Sequence, residues 1–410
     1  MSKRNKKRPG YKKTKGWWIP KEWDVNSLGS FGLFSKGKGI SNTEKKETGI
    51  PCITYGDIYT KHDFIIKEFQ SFIDTETTQT SQKIKKNDIL FAGSGETLDE
   101  IGKCVAYTKN VEAYAGGDIV IFSPNRVDCI YLSYALNSDL ITKHRRRLGQ
   151  GHSVVHIYSS GLKTLHVPFP PLPEQRKIAE ILSTWDETIE QTRKLIDAKK
   201  RRKKALMQQL LTGKKRLPGF SKKWNESYLG DLFDERKEIR FNHLPLLAIT
   251  GDRGVIPASE IERKDSSSSD KSKYKRIAPG DIGYNTMRMW QGVSAVSDLE
   301  GIVSPAYTIC VPKKGAYTKF MGYFFKFTPI VNLFRRYSQG LVNDTLNLKF
   351  NNFARIKVKI PDTEEQISIA EVLSVANLEI NVLENKLTAL EKQKRGLMQK
   401  LLTGEIRVKT

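Results

Sequence analysis

Two stretches of this chain share one hydrophobic rhythm, and the rest follows another. Between Glu365 and Thr403, Leu373, Ala376, Ile380, Leu383, Leu387, Leu390, Leu397 and Leu401 fall on alternating steps of three and four, with Lys394 the one polar member. That spacing predicts a coiled-coil seam. The same positions 191 residues earlier are Leu182, Trp185, Ile189, Thr192, Ile196, Lys199, Leu206 and Leu210, with Lys203 at the Lys394 place. The seam is present again, weakened in its middle. Neither stretch contains proline, Gly396 is the sole internal glycine, and both end at Thr-Gly, a natural helix stop. The pattern predicts long helices over 174–213 and 363–404. A helix of about 39 residues measures ~58 Å and must bury its stripe. An antiparallel pairing of the two copies, with pseudo-twofold symmetry, satisfies both stripes; docking of each helix on its own globular module is the alternative.

From 17 to 173 and from 214 to 362 the rhythm changes to short apolar runs broken by Gly, Pro, Asn and Asp, such as Asp118-Ile119-Val120-Ile121-Phe122 and Ala306-Tyr307-Thr308-Ile309-Cys310-Val311. These predict strands, with short helices near Cys129 to Asn137 and Phe320 to Phe327. The fold class is therefore α+β, with two mixed modules and two long helices in the order module, arm, module, arm. A basic arm over 1–16, expected to be disordered, and a tail over 405–410 complete the division.

The modules too belong to the repeat. Glu174 to Ser183 matches Glu365 to Ser374 at 7 of 10 positions, and Leu206 to Gly213 matches Leu397 to Gly404 at 7 of 8, both at offset 191. Weaker echoes extend outward. Trp23 with Leu28-Gly29 answers Trp224 with Leu229-Gly230, Asp88-Ile89 answers Asp281-Ile282, and Arg146-Arg147 with Gly151 answers Arg335-Arg336 with Gly340. The echoes stand at other offsets, 201 for the Trp and Leu-Gly pair, but the gap-free offset of 191 shared by the two strong blocks marks internal duplication.

Charge narrows the class of partner. Lys and Arg number 69 against 45 Asp and Glu, a net +24 that seeks a polyanion, nucleic acid first. Hydrophobic content of 38% is enough for folded cores. The apolar runs fall short of the ~20 residues of a membrane span, and the Lys/Arg-rich start has no apolar signal region, so the chain reads as cytoplasmic. Cys52, Cys104, Cys129 and Cys310 are isolated in sequence and read as free thiols rather than a disulfide or zinc framework.

The loops carry base-reading chemistry. Asn285, Arg288, Trp290 and Gln291 follow a predicted strand; Ser94, Glu96 and Thr97 hold a comparable place in the first module. Arg145, Arg146 and Arg147 with Gln150, and Arg335 and Arg336 with Gln339, supply further phosphate or base contacts. Arginine suits guanine O6/N7, and Asn or Gln suits adenine N6/N7. The six consecutive basic residues Lys199 to Lys204 wrap every face of the first arm, which leaves two readings open: a phosphate or acidic protein surface opposite, or a solvated face.

Catalytic constellations are weak. Gly93-Ser94-Gly95 lacks the rest of a dinucleotide fingerprint, and no phosphate-cradling GxxxxGK[ST] loop occurs. His152 and His156 lie on a predicted strand, too far apart for one metal. Asp252 with Glu262-Arg263-Lys264 has the order of a metal-dependent nuclease but is a triplet that a highly charged chain produces freely. The expectation is no catalytic residue, no metal and no cofactor bound by this chain.

These motifs resemble the specificity subunits of type I restriction-modification systems over nearly the whole chain. The resemblance rests on the module openings Ile19-Pro20-Lys21-Glu22-Trp23 and Leu217-Pro218-Gly219-Phe220, on Pro170-Pro171-Leu172-Pro173-Glu174-Gln175, on Ile178-Ala179-Glu180-Ile181-Leu182, and on the Leu-Leu-Thr-Gly helix ends. Ile360-Pro361-Asp362-Thr363 departs from the proline-rich form. The resemblance implies two target recognition domains, each reading one half of an asymmetric bipartite double-stranded DNA site, and two antiparallel helices that set the gap. It implies a non-catalytic subunit whose partners are two modification subunits, which bind S-adenosylmethionine and methylate adenine, and restriction/motor subunits. From the residues alone, a stand-alone nuclease or methyltransferase and a coiled-coil protein scaffold remain the competing classes.

Overall fold

The computed structural model describes residues 9–14, 18–98, 100–151, 154–261, 270–342 and 345–409. The chain divides into two units, 1–192 with 386–410, and 193–385. The boundaries differ from the module-and-arm order of the sequence. Each long helix, Leu172–Leu210 and Thr363–Leu402, gives its first half to one unit and its second half to the other.

Both units are built on the same antiparallel frame. In the first unit the strand order is Cys104–Ala106, Ile89–Ala92, Ile119–Pro124, Gly32–Lys36; in the second it is Ser294–Val296, Ile282–Asn285, Tyr307–Pro312, Phe233–Glu235. A two-stranded ribbon follows each, Asp24–Ser27 with His166–Phe169 and Asn225–Tyr228 with Lys357–Ile360. Asp88 and Asp281 have one job in common: each carboxylate accepts the backbone N–H three residues earlier, 2.7 Å from Lys85 and 2.8 Å from Ala278, and so fixes the turn that launches the central strand. The first unit adds a second four-stranded sheet holding a parallel pair, Ala113–Ala115 with Ile50–Ile53. The second unit instead has two two-stranded pairs, the short hairpin Leu247–Ile249 with Val255–Pro257, and Lys275–Ile277 with Gly301–Val303.

The helix ends are embedded in module cores, so both burial routes open to the stripes are used. In the first unit Ile178, Ala179 and Leu182 share a core with Leu401, Leu402, Trp23, Tyr131 and Tyr134. In the second, Ile369, Ala370 and Leu373 share one with Leu210, Leu211, Trp224 and a run of phenylalanines. Within each unit the two helical segments run antiparallel. Asp186 pairs with Lys394 in the first unit; Lys199 pairs with Glu379, and Lys200 with Glu384 at 2.7 Å, in the second.

The repeated Glu-Gln pair explains itself at the junctions. Glu174 is buried and accepts the indole N–H of Trp23 at 2.9 Å, while Arg407 grips it bidentately at 2.6 and 2.9 Å. Glu365 accepts from Trp224 at 3.1 Å and is gripped by Arg216 at 2.5 and 2.6 Å. Each guanidinium also lies 6.0 Å from its indole ring. Gln175 and Gln366 follow suit, donating to the carbonyls of Pro170 and Pro361 and accepting a module backbone N–H from Asp128 and Tyr317. Both arginines stand three residues beyond the Thr-Gly stop, so each unit is latched by the segment that follows the helix whose second half it holds.

Three expectations need correction. Part of the basic arm is ordered: Tyr11–Lys13 pairs with Trp18–Pro20, and Tyr11 Oη donates to the Gly404 carbonyl at 2.6 Å; residues 1–8 lie outside the described residues. The tail is structural, since Arg407 and Val408 pack on the first unit. The second arm is more apolar than the sequence reading allowed, with an 18-residue window of mean hydropathy 1.2. Val375, Leu378 and Val382 raise it, and they are exposed along one face.

Candidate nucleic-acid interface

Each module brings three separated pieces of sequence to one edge of its frame. The first piece is the loop leaving the central strand, 93–97 or 286–291. The second is a helix that ends in two arginines. The third is a hairpin that starts at a Gln-Gly pair and returns beside the loop.

In the first unit the helix Asp139–Arg145 starts at Ser138, whose hydroxyl caps the Ile141 N–H, and carries its basic residues in its last turn, where they suit the helix dipole. Arg146 and Arg147 follow in a single 3-10 turn and are exposed. Gln150 and His156 exchange two backbone hydrogen bonds, 2.9 and 2.7 Å, closing the hairpin. Its returning strand pairs with Ser94–Gly95, and Ile157 N–H donates to the Gly93 carbonyl at 2.9 Å.

The second unit repeats the plan. The helix Thr328–Tyr337 buries Ile330 and Phe334, one turn apart, so Arg335 and Arg336 fall on its exposed side. Gln339 and Asn347 exchange backbone hydrogen bonds at 2.8 Å, and Leu348 N–H donates to the Thr286 carbonyl at 2.9 Å. The glycines of both Gln-Gly pairs are obligatory. Gly151 and Gly340 have φ of +117° and +142°, and a Cβ there would stand 2.1 Å from the Val154 oxygen and 2.5 Å from the Thr345 oxygen.

The candidate residues separate by exposure. Glu96, Thr97, Arg146, Arg147, Gln150, Arg288, Gln291, Arg335, Arg336 and Gln339 are exposed at these edges. Trp290 is half-buried; its indole N–H donates to the Met287 carbonyl at 3.1 Å, and the Arg335 guanidinium lies 5.8 Å from its ring. Asn285 accepts the Met287 N–H at 3.0 Å, which shapes the loop that presents Arg288. Arg145 is a correction. It is 3% exposed and donates to the carbonyls of Ile101 and Leu136 at 2.8 and 2.9 Å, so it staples its helix to the turn at Ile101 and to the end of the preceding helix, and burial pushes its pKa down. Ser94 is a second correction: it is buried, with its hydroxyl 2.9 Å from His156 Nδ1. Tyr59, whose phenol is pushed up to about 12 by burial, donates to the Ser94 carbonyl at 3.0 Å.

Sequence reasoning missed His156 with its stacked neighbour Tyr158, and the exposed Val154, Leu341 and Val342 of the two hairpins. The recurrence of Arg-Arg-x-x-Gln-Gly at 146–151 and 335–340 was the signal that could have found these hairpins. His152 and the triplet Glu262-Arg263-Lys264 lie outside the described residues. Among the described residues, no cluster of three or more His, Cys, Asp or Glu could hold a metal ion. All four cysteines are free and buried, and burial raises their pKa values.

A family model described as the type I restriction modification DNA specificity domain matches residues 20–199 and again 221–392. The chain belongs to that specificity family. The putative type I restriction enzyme MjaX specificity subunit of Methanocaldococcus jannaschii is 24% identical, with 98% of each chain covered. The MjaVIII specificity subunit of the same organism is 25% identical over 98% of this chain and 97% of its own. The crystal structure of the type I restriction-modification S subunit from M. genitalium superposes with a TM-score of 0.59 at 16% identity, covering 95% of this chain and 98% of that one. As a specificity subunit, the chain is a non-catalytic, DNA-recognising component of a type I system. Its two family domains coincide with two copies of one frame that carry unlike loops.

Proposed function

We propose that each unit reads its own part of an asymmetric, bipartite double-stranded DNA site, and that this chain directs adenine methylation and restriction by partner subunits. The observation that carries the reading is the repeated edge, where an exposed Arg-Arg pair, a Gln-Gly hairpin and a strand-end loop converge in both units. Arg146, Arg147, Arg335 and Arg336 supply phosphate or guanine contacts. Glu96, Thr97, Gln150, Arg288, Gln291 and Gln339 supply base contacts that differ between the copies. Arg145 and Ser94 act behind them as supports.

The arm helices measure the gap between the two parts of the site. Val375, Leu378 and Val382 support a protein partner on the second arm, a modification subunit, because an exposed apolar stripe at i, i+3 and i+7 fits a helix-in-groove contact. The corresponding positions of the first arm are Thr184, Glu187 and Gln191. The assembly works on DNA in the cytoplasm, and S-adenosylmethionine is held by the modification subunits.

Methylation mapping in the host tests the reading. Strains with and without the chain should differ at one split adenine-containing motif. Lengthening both helices by four residues, ~6 Å, should lengthen the tolerated spacer by about two base pairs at 3.4 Å each. An unchanged spacer would refute the measuring role of the arms. Methylation at unrelated sequences would refute the assignment of recognition to this chain.

A further inference from the structure

The seam lysines Lys394 and Lys203 occupy equivalent places, and their surroundings differ in the one respect that matters for charge. In the first unit Lys394 is 7% exposed, ion-paired with Asp186, and covered by the Phe64 ring at 4.1 Å and the Tyr134 ring at 5.3 Å. The second unit keeps the tyrosine. Tyr323 lies 5.8 Å from Lys203 and bonds Ser374 at 3.1 Å, as Tyr134 approaches Ser183 at 3.4 Å. It replaces the carboxylate, however. At the position of Asp186 stands Asn377, and Lys203 donates to its amide oxygen at 2.7 Å.

Where Phe64 closes the first unit, the second has a cleft of about 870 Å³. Four lysines line it, Lys200, Lys203, Lys204 and Lys326, against one carboxylate, Glu384, which already pairs with Lys200. Lys326 donates to the Gly251 carbonyl at 2.9 Å, a neutral acceptor. Burial lowers the pKa of both Lys203 and Lys326, and the neighbouring Lys326 lowers that of Lys203 further; the carboxylates of Glu384 and Asp252 oppose this only in part, at Lys203 and Lys326 respectively. Holding two desolvated ammonium groups together is unfavourable unless an anion joins them.

The rest of the lining sets the kind of anion. Met207, Phe327 and Ile380 give an apolar wall, and Asn332, Asn377 and Asn381 give amides able to pair with a heterocycle edge. The volume lies within the range of small-molecule sites and far exceeds an inorganic phosphate. Lysine binds phosphate as a point charge, and aromatic faces stack bases. We infer that this cleft of the second unit is a binding site for a nucleoside polyphosphate, with the phosphates on Lys203, Lys204 and Lys326 and the base against Phe327.

The test is equilibrium dialysis or calorimetry of the full-length chain with ATP in the absence of magnesium, beside adenosine as the uncharged probe. Saturable ATP binding with no adenosine binding is expected. Asn377→Asp restores the counter-charge of the first unit without removing any packing, and Lys326→Met removes one ammonium. Each should weaken ATP at least about tenfold, the equivalent of one charge-assisted hydrogen bond. Asp186→Asn, at the equivalent place in the first unit, should leave ATP affinity unchanged. No ATP binding by the wild type, equal binding of adenosine, or unchanged affinity in Asn377→Asp would overturn the inference. Displacement of ATP by non-specific duplex DNA, or by a poly-glutamate peptide of equal charge, would overturn it in favour of a DNA backbone or an acidic protein segment.

Discussion

The two units agree where helices meet modules and part company where the modules face outward. At the junction the Trp, Glu and Arg of one copy match those of the other contact for contact, to within a few tenths of an ångström. At the seam lysine and at the loop edge the copies share a backbone plan and a few side chains, among them Lys with Tyr and Ser at the seam and the Arg-Arg and Gln-Gly pairs at the edge, but differ in Asp186 against Asn377 and in the strand-end loops. The duplicated copies therefore agree where a buried carboxylate orients the helices and differ at the edge and the cleft proposed above as ligand sites.

The strongest way to break the symmetry is through the latches. Glu365→Ala strands the Arg216 guanidinium and the Trp224 indole N–H together, and a buried ion pair broken on one side costs about 3 to 5 kcal/mol. Glu174→Ala should cost less, because Arg407 is 40% exposed against 24% for Arg216. Chemical denaturation of the two variants checks the order.

Next comes Val375→Glu with Leu378→Glu on the second arm. Removing two apolar side chains from a docking face should weaken assembly with the modification subunit by about 2 to 4 kcal/mol while leaving the unfolding midpoint within about 0.5 kcal/mol of wild type. Analytical ultracentrifugation of the mixture reads the first, and thermal melts the second.

Arg146→Ala and Arg335→Ala sharpen the comparison between the edges. Each should cost about 1 to 3 kcal/mol of binding to the cognate duplex, and a base contact would show as a loss confined to one part of the site. Equal loss on scrambled duplex would assign the arginine to phosphate.

The smallest expected effect is on pH. Lys203 and Lys326 have folded pKa values below their unfolded ones, so their protonation opposes folding below the folded pKa, and the penalty fades as pH rises toward the unfolded value. Lys326→Met should therefore stabilise the chain near pH ~7 by a fraction of a kcal/mol, and the gain should shrink by pH ~10. Thermal melts across that range check it.

The repeat, the two long helices and the frame strands were legible because each leaves a periodic trace. The seam positions Leu182, Ile189, Ile196, Leu373 and Ile380 are buried, and so is Lys394. What composition could not tell was direction. Arg145, Arg146 and Arg147 are chemically identical, and only the place where an α-helix tightens into a 3-10 turn sends the first inward to carbonyls and the next two outward. The latches were hidden for another reason. Arg216 and Arg407 act on residues 149 and 233 positions away, and a contact of that range has no local signature. His156 is set aside as a metal ligand because its segment reads as a strand, while its place beside Ser94 was hidden because the two residues lie 62 positions apart.

The latch at Glu174 also sets an order of events during synthesis. Residues 193–385 form an unbroken stretch of chain and hold all they need for their own unit as soon as they have left the ribosome. The first unit, although translated first, lacks Leu401, Leu402 and Arg407 until residues 401–407 have been made. A nascent chain thus carries an unfinished core around Trp23 while the whole second unit is synthesised, and termination before Leu401 damages the half of the protein made earliest.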